Sequence, residues 1–132
     1  MLWPTDQGWE SEPEGGMGVE IRPAQALKLL HDFAHALVTD KEPDLSARQL
    51  AVLLTIYLDA PPHTVRGLAS KLRLTKPVIT RALDTMGKLD LVARRRDDAD
   101  RRSVVVQRTA KGALAVERLG DLLVAKAKEL PR

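Results

Sequence analysis

Thr75, Lys76, Pro77, Thr80 and Arg81 place two hydroxyls, an ammonium and a guanidinium within seven residues. That set suits hydrogen bonds to phosphates and base edges better than it suits bond breaking. Arg81 can grip a guanine with both prongs of its guanidinium, and Thr80 can meet a phosphate or a thymine methyl. A second basic cluster follows, with Arg95 in one extended run and Arg101 and Arg102 in the tip that joins it to the next. Arginines on such a hairpin suit flanking phosphates or a minor groove.

The elements that must position these residues are legible between His63 and Thr109. His63-Thr64-Val65 reads as a short extended segment, followed by a scaffold helix with Val65, Leu68, Ala69 and Leu72 inward and Arg66 at its start. Leu72-Arg73-Leu74 makes a turn. Thr75 then caps a second helix, where Pro77 in the first turn removes no needed donor. Ile79, Ala82, Leu83 and Met86 recur at helical spacing and define its core side, which leaves Pro77, Thr80, Arg81, Asp84 and Lys88 outward. Leu91–Arg96 and Ser103–Arg108 read as two strands joined by a tip from Asp97 to Arg102. Helix, turn, helix and basic hairpin in this order form a device for reading double-stranded DNA.

Charge agrees with that reading. Residues 1–62 carry 4 Lys+Arg against 10 Asp+Glu, a net of −6, and residues 63–132 carry 17 against 8, a net of +9. The overall +3 therefore hides a basic half whose natural partner is a polyanion. Twelve cations fall between Arg66 and Arg108, inside the helix-turn-helix and hairpin. The chain has no cysteine, which excludes disulfides, thiolate metal sites and cysteine nucleophiles. No apolar run approaches the roughly 20 residues that span a bilayer, and the acidic N-terminus lacks a signal core, so a cytoplasmic protein with no membrane partner is expected.

Residues 1–22 hold five acidic side chains and a Gly pair, the composition of an acidic arm, yet they include both tryptophans, Trp3 and Trp9. Docking of that arm on a helix of its own or a second subunit is the expectation. Residues 23–132 read as one domain. In it a helix from Pro23 to about residue 38 is apolar over most of its circumference, and Ser46 starts another with Ala51, Leu54, Ile56, Tyr57 and Leu58 on a broad face. Thr109 caps a last helix over about residues 110–130, striped by Val116, Leu119, Leu123, Ala127 and Leu130. The fold class is α+β and mostly helical.

The segment LASKLRLTKPVITRALDTMGKLDLVARRRDDADRRSVVVQRTAKG resembles the winged helix-turn-helix core of MarR-family bacterial transcriptional regulators. The resemblance rests on Leu-Ala, a Leu-x-Leu turn, Thr-Arg-x-Leu, Leu-Val, an Asp-x-Arg at Asp100 and Arg102, and Thr-x-x-Gly at Thr109 and Gly112. It implies a DNA-binding core over about residues 46–109, with Arg102 entering the minor groove, Asp100 orienting it and Arg101 on phosphate. It further implies flanking dimerisation helices over about residues 23–38 and 110–130, with Leu27, Leu30, Phe33, Leu37, Val116, Leu119 and Leu123 at the interface of a homodimer. A transcriptional repressor on a near-palindromic site, acting at the bacterial nucleoid, is the function implied. The chain stops at Arg132, so the family's second C-terminal helix is expected to be absent or reduced and the dimer smaller. Asp90 stands where the family usually has glycine and must accept a left-handed or bent turn; Arg108 stands where it usually has leucine, and either loosens the hairpin or adds a phosphate contact.

His31 and His35 have the i, i+4 spacing of a zinc pair, but with no third ligand evident they read as two polar positions, and no metal or other cofactor is expected. Asp97, Asp98 and Asp100 read as a solvated turn, because the arginines among them would repel a cation. No phosphate loop, nucleophile elbow or His–carboxylate constellation supports an enzyme. The alternative from another class is a winged-helix module that binds a protein and no operator. Retardation of genomic DNA fragments at moderate salt separates the two. Whether a small-molecule effector exists is not encoded in these motifs.

Overall fold

Side-chain hydroxyl caps start four of the helices, and Pro23 in the first turn starts the other. In the computed structural model, which describes residues 18–40 and 44–132, these are α1 (Pro23–Thr39), α2 (Ala47–Leu58), α3 (Val65–Leu72), α4 (Lys76–Lys88) and α5 (Ala110–Lys128). Trp3 and Trp9, and with them the docking expected of the arm, lie outside the described residues. Ser46 and Gln49 form a reciprocal capping box, with Gln49 N–H donating to Ser46 Oγ at 3.1 Å and Ser46 N–H donating to Gln49 Oε1 at 2.8 Å. Thr64, Thr75 and Thr109 accept from Gly67, Val78 and Gly112 N–H respectively, so α3, α4 and α5 each begin on a threonine hydroxyl.

The ends are equally specific. Leu91 N–H donates to Met86 O and Asp90 N–H to Gly87 O, a Schellman closure of α4 with Asp90 left-handed at φ 58°. Leu74 N–H to Ala69 O and Arg73 N–H to Ser70 O close α3 in the same way, with Arg73 at φ 55°. Neither residue is glycine, and each carries the steric cost of that conformation. The bend expected at Asp90 is therefore present, and the turn of the helix-turn-helix takes its direction from Arg73.

Three antiparallel strands, β1 (His63–Thr64), β2 (Val92–Arg96) and β3 (Val104–Arg108), pair in the order β1-β3-β2. His63 opposes Val106, and Val92, Arg94 and Arg96 oppose Arg108, Val106 and Val104. Opposed residues share a face, so Val92, Val106 and His63 turn one way and Ala93, Arg95, Val105 and Gln107 the other. The first face is the buried one: Val92, Val106 and His63 are all nearly inaccessible.

Among the described residues, backbone contacts divide the chain into two compact units, one of residues 45–116 and the other of residues 18–40, 44 and 117–132. The first holds the core, in which Val52, Leu53, Ile56 and Tyr57 of α2 meet Leu68, Ile79, Leu83, Met86 and Val116. The four residues expected to face inward from α4 are all buried. On α2 the buried set is Val52, Leu53, Ile56 and Tyr57, while Ala51 is exposed and Leu54 only half-buried. That departs from the expected face, because ARQLAVLLTIYL is apolar almost all round and its spacing does not select a side. In the second unit, α1 half-buries Leu29, Phe33, Ala36 and Leu37 and exposes Leu27, Leu30 and Val38. Gln25 Nε2 donates to Pro131 O at 2.7 Å, joining the first turn of α1 to the chain beyond α5. Among the described residues no helix is long and apolar enough to cross a membrane.

Candidate nucleic-acid interface

The N-terminal turns of α4 and the hairpin of β2 and β3 face a shared cleft of about 370 Å³. Arg66, Lys76, Thr80, Asp100 and Arg102 line it together with Thr64, Val65, Ser103 and Val104. Five residues singled out from the sequence, drawn from α3, α4 and the wing tip, thus converge on one place. Three of them are cations against one carboxylate, a balance that draws in a polyanion. Thr75, Pro77, Arg81 and Lys88 lie outside this cleft but are exposed on α4 or at its start, as are Arg95 and Arg101 on the hairpin. Arg81 lies along its own helix, with Nε donating to Pro77 O at 3.4 Å.

The wing is braced by contacts that sequence patterning does not single out. Asp97 N–H donates to Ser103 O and Ser103 N–H to Asp100 O, closing the tip. Asp97 Oδ1 accepts from Ala99 N–H, the carboxylate-stabilised turn expected of this loop. Asp100 Oδ1 accepts from the Arg102 backbone N–H at 3.1 Å. The hold of Asp100 on Arg102 is therefore on the main chain beneath the guanidinium. Arg96 Nη1 donates to Arg101 O at 2.9 Å, strapping the tip across the hairpin. Arg94 pairs with Asp84 of α4 at 2.8 Å and so links wing and helix. Strand alternation explains the division: Arg94, Arg96 and Arg108 share the inward face, whereas Arg95 is on the outward one.

Arg108 departs from both expectations for it. Its Nε donates to Ile56 O at 2.9 Å and its Nη2 to Asp59 O at 2.7 Å, with the guanidinium 5.9 Å from the Tyr57 ring centroid. It caps the carbonyl end of α2 and packs on an aromatic face, so it tightens the root of the hairpin instead of loosening it and is turned away from a phosphate contact. Tyr57, buried directly beneath, donates its hydroxyl to Leu91 O at 2.7 Å and accepts from Thr109 N–H at 3.0 Å. Thr109 Oγ1 donates to Asp90 O at 2.7 Å. One tyrosine and one threonine thereby tie α2, the start of β2 and the start of α5.

His63 sits in the same region, with Nε2 3.1 Å from Asp59 O. Burial holds its imidazole below the usual histidine range, opposed by the bond to Asp59 O and reinforced by Arg108 and Lys71; the Asp59 carboxylate acts in the raising direction. A depressed folded value means that the unfolded chain binds the proton more tightly. The stability contributed is complete above about pH 6.5, the unfolded value, and is lost as pH falls through the lower folded one. The His63 Hε1 resonance is expected to titrate with a midpoint below 6.5, and His63→Gln to flatten the loss of urea stability between pH 7.5 and 5. A normal midpoint would contradict the buried neutral ring.

A helix-turn-helix whose second helix adjoins a basic β-hairpin defines a winged helix-turn-helix protein. Residues 45–104 match the model of the MarR family. No curated protein matches. Among solved structures, a mutant of MepR from S. aureus is 18% identical, with a TM-score of 0.69, over 83% of this chain and 82% of that one. The transcriptional repressor CouR, bound to a 23-mer DNA duplex, is 25% identical with a TM-score of 0.64 over 80% and 72%. The transcriptional regulator BldR from Sulfolobus solfataricus is 26% identical with a TM-score of 0.59 over 83% and 84%.

Val116, expected at a dimer interface, is 4% exposed within the core of the winged-helix unit and is not available to a partner. Phe33, Leu37 and Leu119 are half-buried within their own chain. Leu27, Leu30 and Leu123 are 68%, 63% and 41% exposed.

Proposed function

We propose that this protein is a sequence-specific regulator of transcription that binds double-stranded DNA as a homodimer and represses by occupying a near-palindromic promoter site in the bacterial cytoplasm. The observation that carries the reading is the convergence of Arg66, Lys76, Thr80 and Arg102 on the cleft between α4 and the wing. α4 enters the major groove, where Thr75, Lys76, Pro77, Thr80 and Arg81 meet phosphates and base edges, with Lys88 towards the far end of that surface. Arg102 enters the adjoining minor groove while Arg95 and Arg101 neutralise flanking phosphates. Nothing in this arrangement performs bond chemistry, and no cofactor takes part.

Two copies pair through Leu27, Leu30 and Leu123, supplemented by Val38 and Val124, which are 70% and 54% exposed. An apolar surface of this kind is covered in a stable regulator. A two-fold pair sets its α4 helices about 34 Å apart, one turn of DNA, so half-sites repeat at that spacing. Selection of bound fragments from genomic DNA, followed by sequencing, should return such a site, and sedimentation should show dimer at micromolar concentration. Recovery of no enriched sequence, with retention of a protein partner instead, would favour the protein-interaction module. A monomer both free and on DNA would refute the two-fold arrangement.

Arg102→Ala should weaken binding through the wing, with the loss depending on A·T content beside the site, because a narrow minor groove concentrates negative potential. Measured affinities on sites with A·T-rich and G·C-rich flanks check this. A variant that binds both like the parent would remove the minor-groove role.

A further inference from the structure

On α1, Leu27, Leu30, Ala34 and Val38 form an exposed stripe, and His31 and His35 run along one edge of it, both exposed. Their rings stack with centroids 5.9 Å apart and an interplanar angle of 24°. His31 Nδ1 lies 3.0 Å from Asp32 Oδ1, and Lys28 Nζ lies 2.9 Å from Asp32 Oδ2. As an acceptor, the Asp32 carboxylate selects the His31 tautomer that carries its proton on Nδ1 and frees the Nε2 lone pair.

We propose that His31 and His35 form a clamp for a divalent late transition-metal ion such as Zn²⁺, with Asp32 as the outer carboxylate that orients His31. Imidazole suits Zn²⁺, Ni²⁺ and Cu²⁺, and a carboxylate behind a ligating histidine fixes its ring and raises its basicity. The dimensions fit. An ion about 2.0–2.1 Å from each Nε2 stands roughly 3.2 Å from each ring centroid, so one ion serves two rings whose centroids are up to about 6.4 Å apart. The observed 5.9 Å lies inside that limit, and rotation of the stacked rings about their side-chain bonds must bring both Nε2 lone pairs onto the ion. Among the described residues no three His, Cys, Asp or Glu side chains converge on one point, so water fills the remaining positions. Half the ligand set of a structural zinc site gives a Kd on the order of tens of micromolar. The sequence places Asp32 beside the pair, and the structure adds its bond to the His31 ring.

The test is titration of the untagged full chain with ZnCl₂ at pH 7.5, followed by imidazole ¹⁵N resonances and by calorimetry. His31 and His35 Nε2 should shift together and saturate at one ion per chain, while the buried His63 stays unmoved. His31→Gln and His35→Gln should each weaken binding about tenfold or more, and Asp32→Asn by about tenfold, with the metal-free melting temperature of the two histidine variants unchanged. Unmoved resonances at 1 mM Zn²⁺, or parental affinity in both histidine variants, would overturn the clamp. Parental affinity in a folded Asp32→Asn variant would overturn the orienting role. The readouts involve no DNA, so they stand or fall apart from the operator-binding proposal.

Discussion

Gly112→Ala is expected to cost about 3–5 kcal/mol, from overpacking at a closed contact together with broken hydrogen bonds. A Cβ on residue 112 would overlap the Tyr57 hydroxyl and the Leu91 carbonyl oxygen. Neither neighbour can yield easily. Tyr57 is fully buried, and Leu91 O belongs to the backbone that enters β2 and accepts the tyrosine proton. Backing α5 away would also lengthen the bonds from Thr109 N–H to Tyr57 and from Thr109 Oγ1 to Asp90 O. Against a typical domain stability of 5–15 kcal/mol this is a large fraction, and a melting temperature lowered by about ten degrees or more is expected. Tyr57→Phe alone should cost about 1–3 kcal/mol by leaving buried backbone groups without the hydroxyl. The double variant should cost less than the sum, since removing the hydroxyl removes one of three clashes and leaves those with the Leu91 carbonyl and the ring Cζ. Additive losses in urea unfolding would show that the Leu91 carbonyl and the ring carbon set the limit.

Arg81→Ala is expected to weaken binding to the selected operator by about 1–3 kcal/mol, or roughly 5- to 150-fold, with altered preference at one base position. The side chain is exposed on α4, one turn beyond Pro77, whose carbonyl it approaches at 3.4 Å. That contact is long and easily exchanged for a base edge. The core side of α4 is occupied by Ile79, Ala82, Leu83 and Met86, so truncating Arg81 leaves packing intact and isolates its contact with DNA. Unfolding measurements should therefore match the parent. Binding by retardation on operator and random duplexes, at several salt concentrations, separates the two roles available to the guanidinium. Equal losses on both duplexes, with a shallower salt dependence, would reduce Arg81 to a phosphate contact.

The exposed face of α4 was legible because four apolar residues recur at helical spacing on a helix that is otherwise polar. Thr75, Thr109 and Ser46 were legible as caps because a hydroxyl there has a local task, accepting a bond from an N–H two or three residues ahead. The direction of α2 was not legible. A helix apolar on nearly every side gains by burying any of them, and only the placement of α3, α4 and β3 selects Val52, Leu53, Ile56 and Tyr57 over Ala51. Val116 was misplaced for a related reason, since its stripe on α5 supplies the winged-helix core at one end and a different unit at the other.

The arginines mark the same boundary. Composition and order alone determined that a basic hairpin follows a capped helix-turn-helix, because charge, helical periodicity and capping chemistry act over a few neighbouring residues. Which arginines remain free for a partner was decided by tertiary structure. Arg94 meets Asp84, Arg96 meets the Arg101 carbonyl, and Arg108 crosses to the end of α2, 49 to 52 residues back along the chain. Strand pleating sends these three to the face shared with Val92 and Val106; Arg108 is half-buried there, where an unpaired charge is costly, while Arg94 and Arg96 remain exposed. No local pattern encodes the partners of Arg94 and Arg108, because each lies on another element that the fold alone brings within hydrogen-bonding distance, whereas Arg101 is only five residues beyond Arg96 in the same hairpin.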